Sequence, residues 1–177
     1  YNLGIGGAVQ AGLLFAEREG YDVAVQFDAD GQHRADQVHF LLEPLFEQTA
    51  DAVIGSRFLR EEECRVPPMR RLGIAVLRSA SSFVVGQTIT DPTSGFRAYS
   101  RAALTYLASE YPHDYPEPEA VVSLCRRGFR LREVAVQMRE RQAGRSSITP
   151  LRSIYYMTKV LLAIGVGAAR VSARGAR

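Results

Sequence analysis

Lysine is almost missing from this chain: of 22 basic residues, only Lys159 is not arginine. Arginine's planar fork suits phosphate better than a point charge does, although a genome rich in G and C favours arginine codons equally well. Cysteine is scarce too. Cys64 and Cys125 lie far apart with no CxxC spacing, which excludes a disulfide framework and a thiolate metal site and fits a reducing compartment. No signal peptide opens the chain, and no run approaches the roughly 18 apolar residues of a spanning helix. Internal repeats and low-complexity tracts are missing as well. So are an initiating Met and an opening strand: Tyr1-Asn2-Leu3 runs straight into a helical pattern. An α/β domain usually opens on a strand, so the chain reads as cut at its front. What is present is ordinary for a soluble domain with a real core: 177 residues, 46% hydrophobic, 23% charged, net charge +3. Nothing in that balance calls for a nucleic-acid partner.

The most informative stretch is Val23-Ala24-Val25-Gln26-Phe27-Asp28-Ala29-Asp30-Gly31-Gln32-His33. Alternating apolar residues (Val23, Val25, Phe27) deliver two carboxylates to the end of a strand, where ligands bind in open α/β sheets. Two such acids repel each other unless a cation joins them. Hard ions such as Mg²⁺ or Mn²⁺ want these oxygens and complete their shells with substrate phosphates. The bland alternative is an Asp-Gly turn cap. An EF-hand loop fails because the glycine comes too early and no glutamate stands twelfth.

Around this stretch the pattern predicts an α/β domain over residues 1–149 and a C-terminal apolar helix with a basic tail over 150–177. A first helix runs to about Glu19 with Ile5, Ala8, Val9, Gly12 and Ala16 at helical spacing. Gly4-Ile5-Gly6-Gly7 matches a dinucleotide fingerprint only loosely, since no strand precedes it and Val9 takes the third glycine's place; these glycines read as close helix packing. A second helix covers about 35–48, with Val38, Leu41, Leu42 and Leu45 on one face and Pro44 bending or breaking it. Asp51–Gly55 reads as a strand buried on both faces, completing a right-handed βαβ unit. Residues 60–68 read as a mobile loop, 70–85 as a helix, 90–95 as a turn, 96–99 as a strand and 101–109 as a helix. Pro118 suits the first position of a helix that ends at Arg126-Arg127-Gly128. Val134, Val136 and Met138 alternate as a strand, with Phe129 and Leu131 in the opposite phase, which predicts a bulge near Arg132. Residues 148–169 form the last helix, which either joins the core or lies flat on anionic lipid with Arg152, Lys159, Arg170 and Arg174 as anchors. The short length of chain left to bury it favours the membrane.

Several polar residues are candidates for a site, each with a plainer reading. Arg57 follows the second strand on the same rim as the aspartates, where topology alone makes it a phosphate contact. Arg70 and Arg71 open a helix, where free N–H groups already favour an anion. Asp91 begins the Asp-Pro-Thr-Ser-Gly-Phe-Arg turn, as a cap or as part of the site. Glu117 and Glu119 flank Pro118 at a helix start, which favours acids through its dipole in any case. Arg139, Arg141, Gly144, Arg145, Ser146 and Ser147 make a polar loop, either a solvated linker or a cover for an anionic substrate.

Taken as a set, these residues resemble family 2 glycosyltransferases, specifically the dolichyl- or polyprenyl-phosphate sugar synthases. The likeness is carried by N-L-G-I-G-G-A-V-Q, F-D-A-D-G-Q-H, V-I-G-S-R-F, R-R-L, D-P-T-S-G-F-R, Y-P-E-P-E and R-x-x-G-R-S-S-I, in family order from Asn2 to Ile148. The resemblance implies a partial GT-A fold, a Rossmann-like, mainly parallel mixed sheet flanked by helices. It implies that Asp28, Asp30 and Gln32 hold Mg²⁺ or Mn²⁺ and the donor diphosphate, and that Arg57 and Arg71 hold the acceptor's phosphate. Asp91 would lie beside the donor sugar and acceptor, Glu119 would line the substrate site, and Arg141 with the loop through Ser146 would close over the substrates. Its implied partners are a nucleotide-sugar, a lipid phosphate, the membrane surface and a possible membrane-protein partner, with the enzyme peripheral at the inner, cytoplasmic face. One departure is large: the family's opening strand with a P-x-Y-N-E-like run and the strand ending in D-D-G-S, which bind base and ribose, have no counterpart. The resemblance therefore implies that this stretch alone binds donor poorly, folds incompletely or is inactive.

The implied reaction moves a sugar to a lipid phosphate with inversion at the anomeric carbon. A phosphate acceptor is already ionised near neutral pH and needs no general base, whereas a hydroxyl acceptor would need one, from Asp91 or Glu119. Two other classes stay open: a phosphatase with Asp28 as nucleophile, which would want Thr at Gln32 and a usable lysine, and a non-enzymatic, membrane-docked fragment.

Overall fold

The computed structural model describes residues 4–28, 30–59, 68–112 and 116–139, with residues 68–72 as backbone only. The expected loop at 60–68 and the last helix at 148–169 fall almost wholly outside the described residues. Helix α1 (Gly4–Arg18) leads into β1 (Val23–Gln26), and a 3₁₀ turn (Ala35–Gln37) opens α2 (Val38–Phe46). Then follow β2 (Ala52–Ser56), α3 (Pro68–Val85), β3 (Arg97–Ser100), α4 (Arg101–Glu110), α5 (Pro116–Arg126) and β4 (Leu131–Ala135). Among the described residues the sheet order is β1-β3-β2-β4.

β3 pairs antiparallel with both β1 and β2, while β2 pairs parallel with β4. Three strands thus run one way and β3 alone opposes them, so the sheet is mixed. With β3 in its interior, two of the three pairings are antiparallel and only β2–β4 is parallel, fewer than the mainly parallel sheet expected. The βαβ unit read from β1, α2 and β2 is a wider crossover than expected, because β3 is inserted between its two strands.

Two cores sandwich the sheet, and β2 explains why. All five of its residues are buried, and strand side chains alternate between faces. Ala52 and Ile54 join Leu104, Leu107, Val121 and Leu124 beneath α1, α4 and α5. Val53 joins Leu41, Leu45, Phe96 and Ala98 beneath α2. Burying a side chain such as Leu41, with no exposed surface, contributes about 1.5–3 kcal/mol.

The same logic corrects the bulge expected near Arg132. β4 pairs with β2 in unbroken register from Ala52↔Leu131 to Ser56↔Ala135. Leu131 faces one core, while Val134 and Val136 face the other. The change of phase in the sequence is the mark of a strand covered on both sides. Its start is pinned to β2, since Asp51 accepts from Arg130 N–H (2.8 Å), Nε (3.0 Å) and Nη2 (2.9 Å).

Other boundaries moved little. Pro116, not Pro118, opens α5. α2 carries the buried Pro44 and ends two residues beyond it, and the Pro44 carbonyl then accepts from Thr49 and Ala50 N–H. The Ser100 side chain caps α4 by accepting from Ala103 N–H. On α1 the buried positions are Gly6 and Leu13, and Val9 and Ala16 of the predicted stripe pack against the core, while Ile5 (70% exposed), Ala8 and Gly12 face outward. The stripe in contact with the core is therefore turned in part from the one the spacing predicts. Of the glycines read as close packing, Gly6 is buried, but Gly4 has open space around it.

Candidate functional site

β1 ends at Gln26, and the chain passes Phe27 to reach Asp28 at the rim of the sheet. Gly31 adopts φ +78°, a conformation that glycine takes without a steric penalty, and the turn closes with Asp30 Oδ1 accepting from Gln32 N–H (3.0 Å). His33 folds back under this turn and its Nδ1 accepts from Asp28 N–H (3.0 Å). That bond places the proton of the neutral ring on Nε2, which lies 3.8 Å from Asp28 Oδ2. The ring is buried, stacked on Phe96 (4.9 Å between centroids) and edge-on to Phe27. Burial holds His33 below the ordinary imidazole value, against the opposing pull of Asp28 and Asp30. Among the described residues, charges that act on this ring include those of Asp28, Asp30, Arg57 and Asp91. The fold has therefore grouped four of the residues picked out from the sequence.

The second half of the site is the 90–97 segment. Asp91 has no exposed surface, yet its carboxylate is fully engaged. Oδ2 accepts from Arg57 Nε (2.7 Å) and Arg57 N–H (3.2 Å), and Oδ1 accepts from Arg57 Nη2 (2.8 Å) and the Thr93 hydroxyl (3.2 Å). Such a fork-to-fork pair fixes both orientation and charge. It leaves the Arg57 side chain 21% exposed on the rim. A buried carboxylate costs several kcal/mol of desolvation unless it is paired and fully bonded, which is why four donors converge here.

Gly95 joins the two halves. A Cβ placed there would stand 2.5 Å from Asp28 Oδ2 and 2.9 Å from Oδ1. The Asp28 carboxylate lies over this glycine in space that no other residue leaves open, so the reason for glycine here is proximity. Asp28 itself stays half exposed, at 50% of its side-chain surface.

The remaining expected site residues lie in or beside these two segments, or outside the described part. Gln32 is half-buried, and its backbone carbonyl accepts from Arg139 N–H (2.9 Å). Glu119 lies in the first turn of α5, an end tied to the Asp91 turn because Arg97 Nη1 donates to Glu117 O (2.8 Å). Arg71 is on α3, with its side chain outside the described part. Arg141 and Ser146 lie outside the described residues. Cys125, on α5, is partly buried, and burial pushes its thiol up to about 11, which removes it as a nucleophile.

Two roles were not read from the sequence. Glu133 on β4 accepts from Thr90 N–H (2.7 Å) and Asp91 N–H (2.8 Å), one with each carboxylate oxygen. Arg97 is fully buried and donates to three carbonyls, those of Ser94 (2.7 Å), Pro92 (2.8 Å) and Glu117. The signals were an acid among Leu131, Val134 and Val136, and an arginine closing the Asp-Pro-Thr-Ser-Gly-Phe-Arg run at a strand start.

Chemically, the rim offers hard, accessible carboxylate oxygen at Asp28 and Asp30, beside an arginine held by a buried acid. Among the described residues no three His, Cys, Asp or Glu side chains gather as a closed metal site. Two carboxylates fit the other kind of site, in which Mg²⁺ or Mn²⁺ is held by one or two acids and otherwise by substrate phosphates and water.

Comparison with known proteins identifies the family. A model described as "Glycosyl transferase family 2" matches residues 1–107. An undecaprenyl-phosphate mannosyltransferase of Micrococcus luteus is 34% identical over 157 residues, covering 82% of this chain and 61% of that protein. A polyprenol monophosphomannose synthase of Mycolicibacterium smegmatis is 33% identical over 150 residues, covering 82% and 56%. A UDP-N-acetylglucosamine–dolichyl-phosphate N-acetylglucosaminyltransferase of Methanococcus voltae is 36% identical over 110 residues, covering 62% and 44%. The chain thus spans about half the length of the relatives it matches. With a model matching more than half of its residues and a rim built from that stretch, the chain belongs to glycosyl transferase family 2.

Proposed function

We propose that the protein to which this chain belongs transfers a sugar from a nucleotide-sugar to a polyprenyl or dolichyl-like phosphate, inverting the anomeric carbon. The observation that carries this reading is the pairing of Arg57 with the buried Asp91 on the same rim as Asp28. A guanidinium so fixed is an anion receptor beside a site for a diphosphate. The names of the relatives, which act on undecaprenyl, polyprenol and dolichyl phosphates, support the acceptor class. Family membership also favours transfer over the phosphatase alternative.

In this reading Asp28 and Asp30 hold Mg²⁺ or Mn²⁺ together with the donor diphosphate, with Gln32 in the same turn. The bound cation supplies positive charge where negative charge grows on the departing diphosphate. Asp91 keeps the Arg57 guanidinium aimed at the acceptor phosphate, and Arg71, Arg141, Ser146 and Glu119 complete the substrate contacts. The acceptor phosphate attacks already ionised, so no side chain has to remove a proton. That agrees with Asp91, whose oxygens are filled by donors within the chain. The lipid acceptor draws the enzyme to the membrane, as a peripheral protein at the inner, cytoplasmic face. Among the described residues no helix is long and apolar enough to cross a bilayer.

The test is sugar transfer by the intact natural protein to a short-chain polyprenyl phosphate. Excess chelator, or Asp28→Ala with Asp30→Ala, should lower the rate by about 10²–10³-fold, since metal stabilisation of the transition state is worth several kcal/mol. Transfer that is indifferent to both refutes the proposal.

A further inference from the structure

We infer that Glu133 is a positioning residue for acceptor binding, acting through the Thr90–Asp91 backbone on the Asp91–Arg57 pair; this rests on the acceptor role proposed for Arg57. Glu133 stands in the middle of β4, whose pairing with β2 is unbroken on either side of it. Its two oxygens each take one consecutive amide, Thr90 N–H and Asp91 N–H. Carboxylate-to-amide bonds of this kind are charge-assisted and stronger than neutral ones. A turn that only needed its amides satisfied could use a hydroxyl or a carbonyl. Here a second negative charge is brought to the residue whose own carboxylate is already buried, and that costs electrostatic energy. The arrangement makes sense where the orientation of Asp91 must be fixed closely.

The rest of the segment is held in the same manner. Arg97 grips the Pro92 and Ser94 carbonyls from β3, and the Ser94 hydroxyl donates to Gly55 O (2.7 Å) on β2. Thr90 and Ser56 share a hydroxyl bond. An anion therefore holds the amides at the front of the turn, a cation holds the carbonyls behind it, and the product of this clamping is a fixed Asp91 carboxylate. That carboxylate in turn fixes Arg57, whose side chain is partly exposed at the rim. The segment after β4 also reaches the other half of the site, since Gln137 N–H donates to Gln37 Oε1 (2.7 Å) and Arg139 N–H to Gln32 O. One strand thus ties the Arg57 side to the Asp28–Asp30 turn.

The test is Glu133→Gln in the intact natural protein, with Glu133→Asp, which keeps the charge but is one methylene shorter, as a second variant should the first fold poorly. Amide exchange at Thr90 and Asp91 should speed up tenfold or more, while the β2–β4 amides keep their protection. KM for a short-chain polyprenyl phosphate should rise about tenfold with KM for the nucleotide-sugar unchanged. In a double-mutant cycle with Arg57→Lys, the combined loss should be smaller than the product of the single losses, because both act through one pair. Unchanged exchange at the two amides, equal effects on both KM values, or fully multiplicative losses would overturn the inference. A wild type that transfers no sugar to the lipid phosphate would sink the transferase reading instead, and the exchange measurement would still decide whether Glu133 holds Asp91.

Discussion

Gly95→Ala isolates the contact between the two halves of the site. The added methyl carbon would stand 2.5 Å from Asp28 Oδ2, 2.9 Å from Oδ1 and 3.0 Å from Cγ. Ordinary non-bonded contact lies near 3.5 Å, so the carboxylate must move by roughly 1 Å. Gly95 is not among the positive-φ glycines, so alanine meets no backbone strain, and Asp28 is half exposed and free to swing outward. The cost to folding should therefore be small, within about 1 kcal/mol. The cost to function should be large, because a misplacement of about 1 Å in a reacting assembly can lower a rate by 10²-fold. Sugar transfer by the intact protein, titrated with Mn²⁺, should show a rate about 10²-fold lower and a raised half-saturating Mn²⁺ concentration. A urea melt should show little change. Unaltered metal dependence in a correctly folded variant would refute the placement of Asp28 in the metal and diphosphate site. Collapse of the fold would refute the claim that Asp28 can swing away freely.

Other outcomes follow from the same geometry. Asp91→Asn leaves Arg57 beside a neutral amide and should destabilise the fold by about 3 kcal/mol, as breaking a buried ion pair does, measured by urea unfolding. Arg57→Ala removes the charge-assisted contacts proposed for the acceptor, each about 1.5–3 kcal/mol, so acceptor KM should rise or turnover fall by at least tenfold; an unchanged acceptor dependence refutes that role. For pH, the hydrogen bond from Arg130 holds the Asp51 carboxyl below its ordinary value. The unfolded chain binds the proton first as pH falls, so the stability from this pair is present above about pH 4 and is lost below it. Urea midpoints at pH 5 and pH 3 should differ less in Asp51→Asn than in the wild type, with the Arg34–Asp36 pair contributing to the remaining slope in the same direction.

Much of this was legible in the residues alone. Period-2 and period-3.6 patterns gave the order of helices and strands to within a few residues, because local spacing reports which faces are covered. Asp28 and Asp30 at a strand's end, and the tight turn opened by Asp91, were visible because strand ends and turns have local chemical signatures. The stripe of α1 that meets the core was visible only in part, since α1 carries small and apolar residues nearly all round and only packing against α4 selects a side. The even register of β4 was not visible, because an apparent break in phase came from two cores, one on each face.

What only the tertiary structure decided are the contacts between distant segments. β3 entered between β1 and β2, which no local pattern records. Arg57 met Asp91 across 34 residues of chain, and Glu133 met Asp91 N–H across 42. Gly95 came to lie under Asp28. The sequence determined which groups the site would contain, because composition and spacing fix the chemistry each element carries to the rim. The fold determined which of them touch, because a buried charge is tolerated only beside its partner, and that partner is chosen by the order of strands in the sheet.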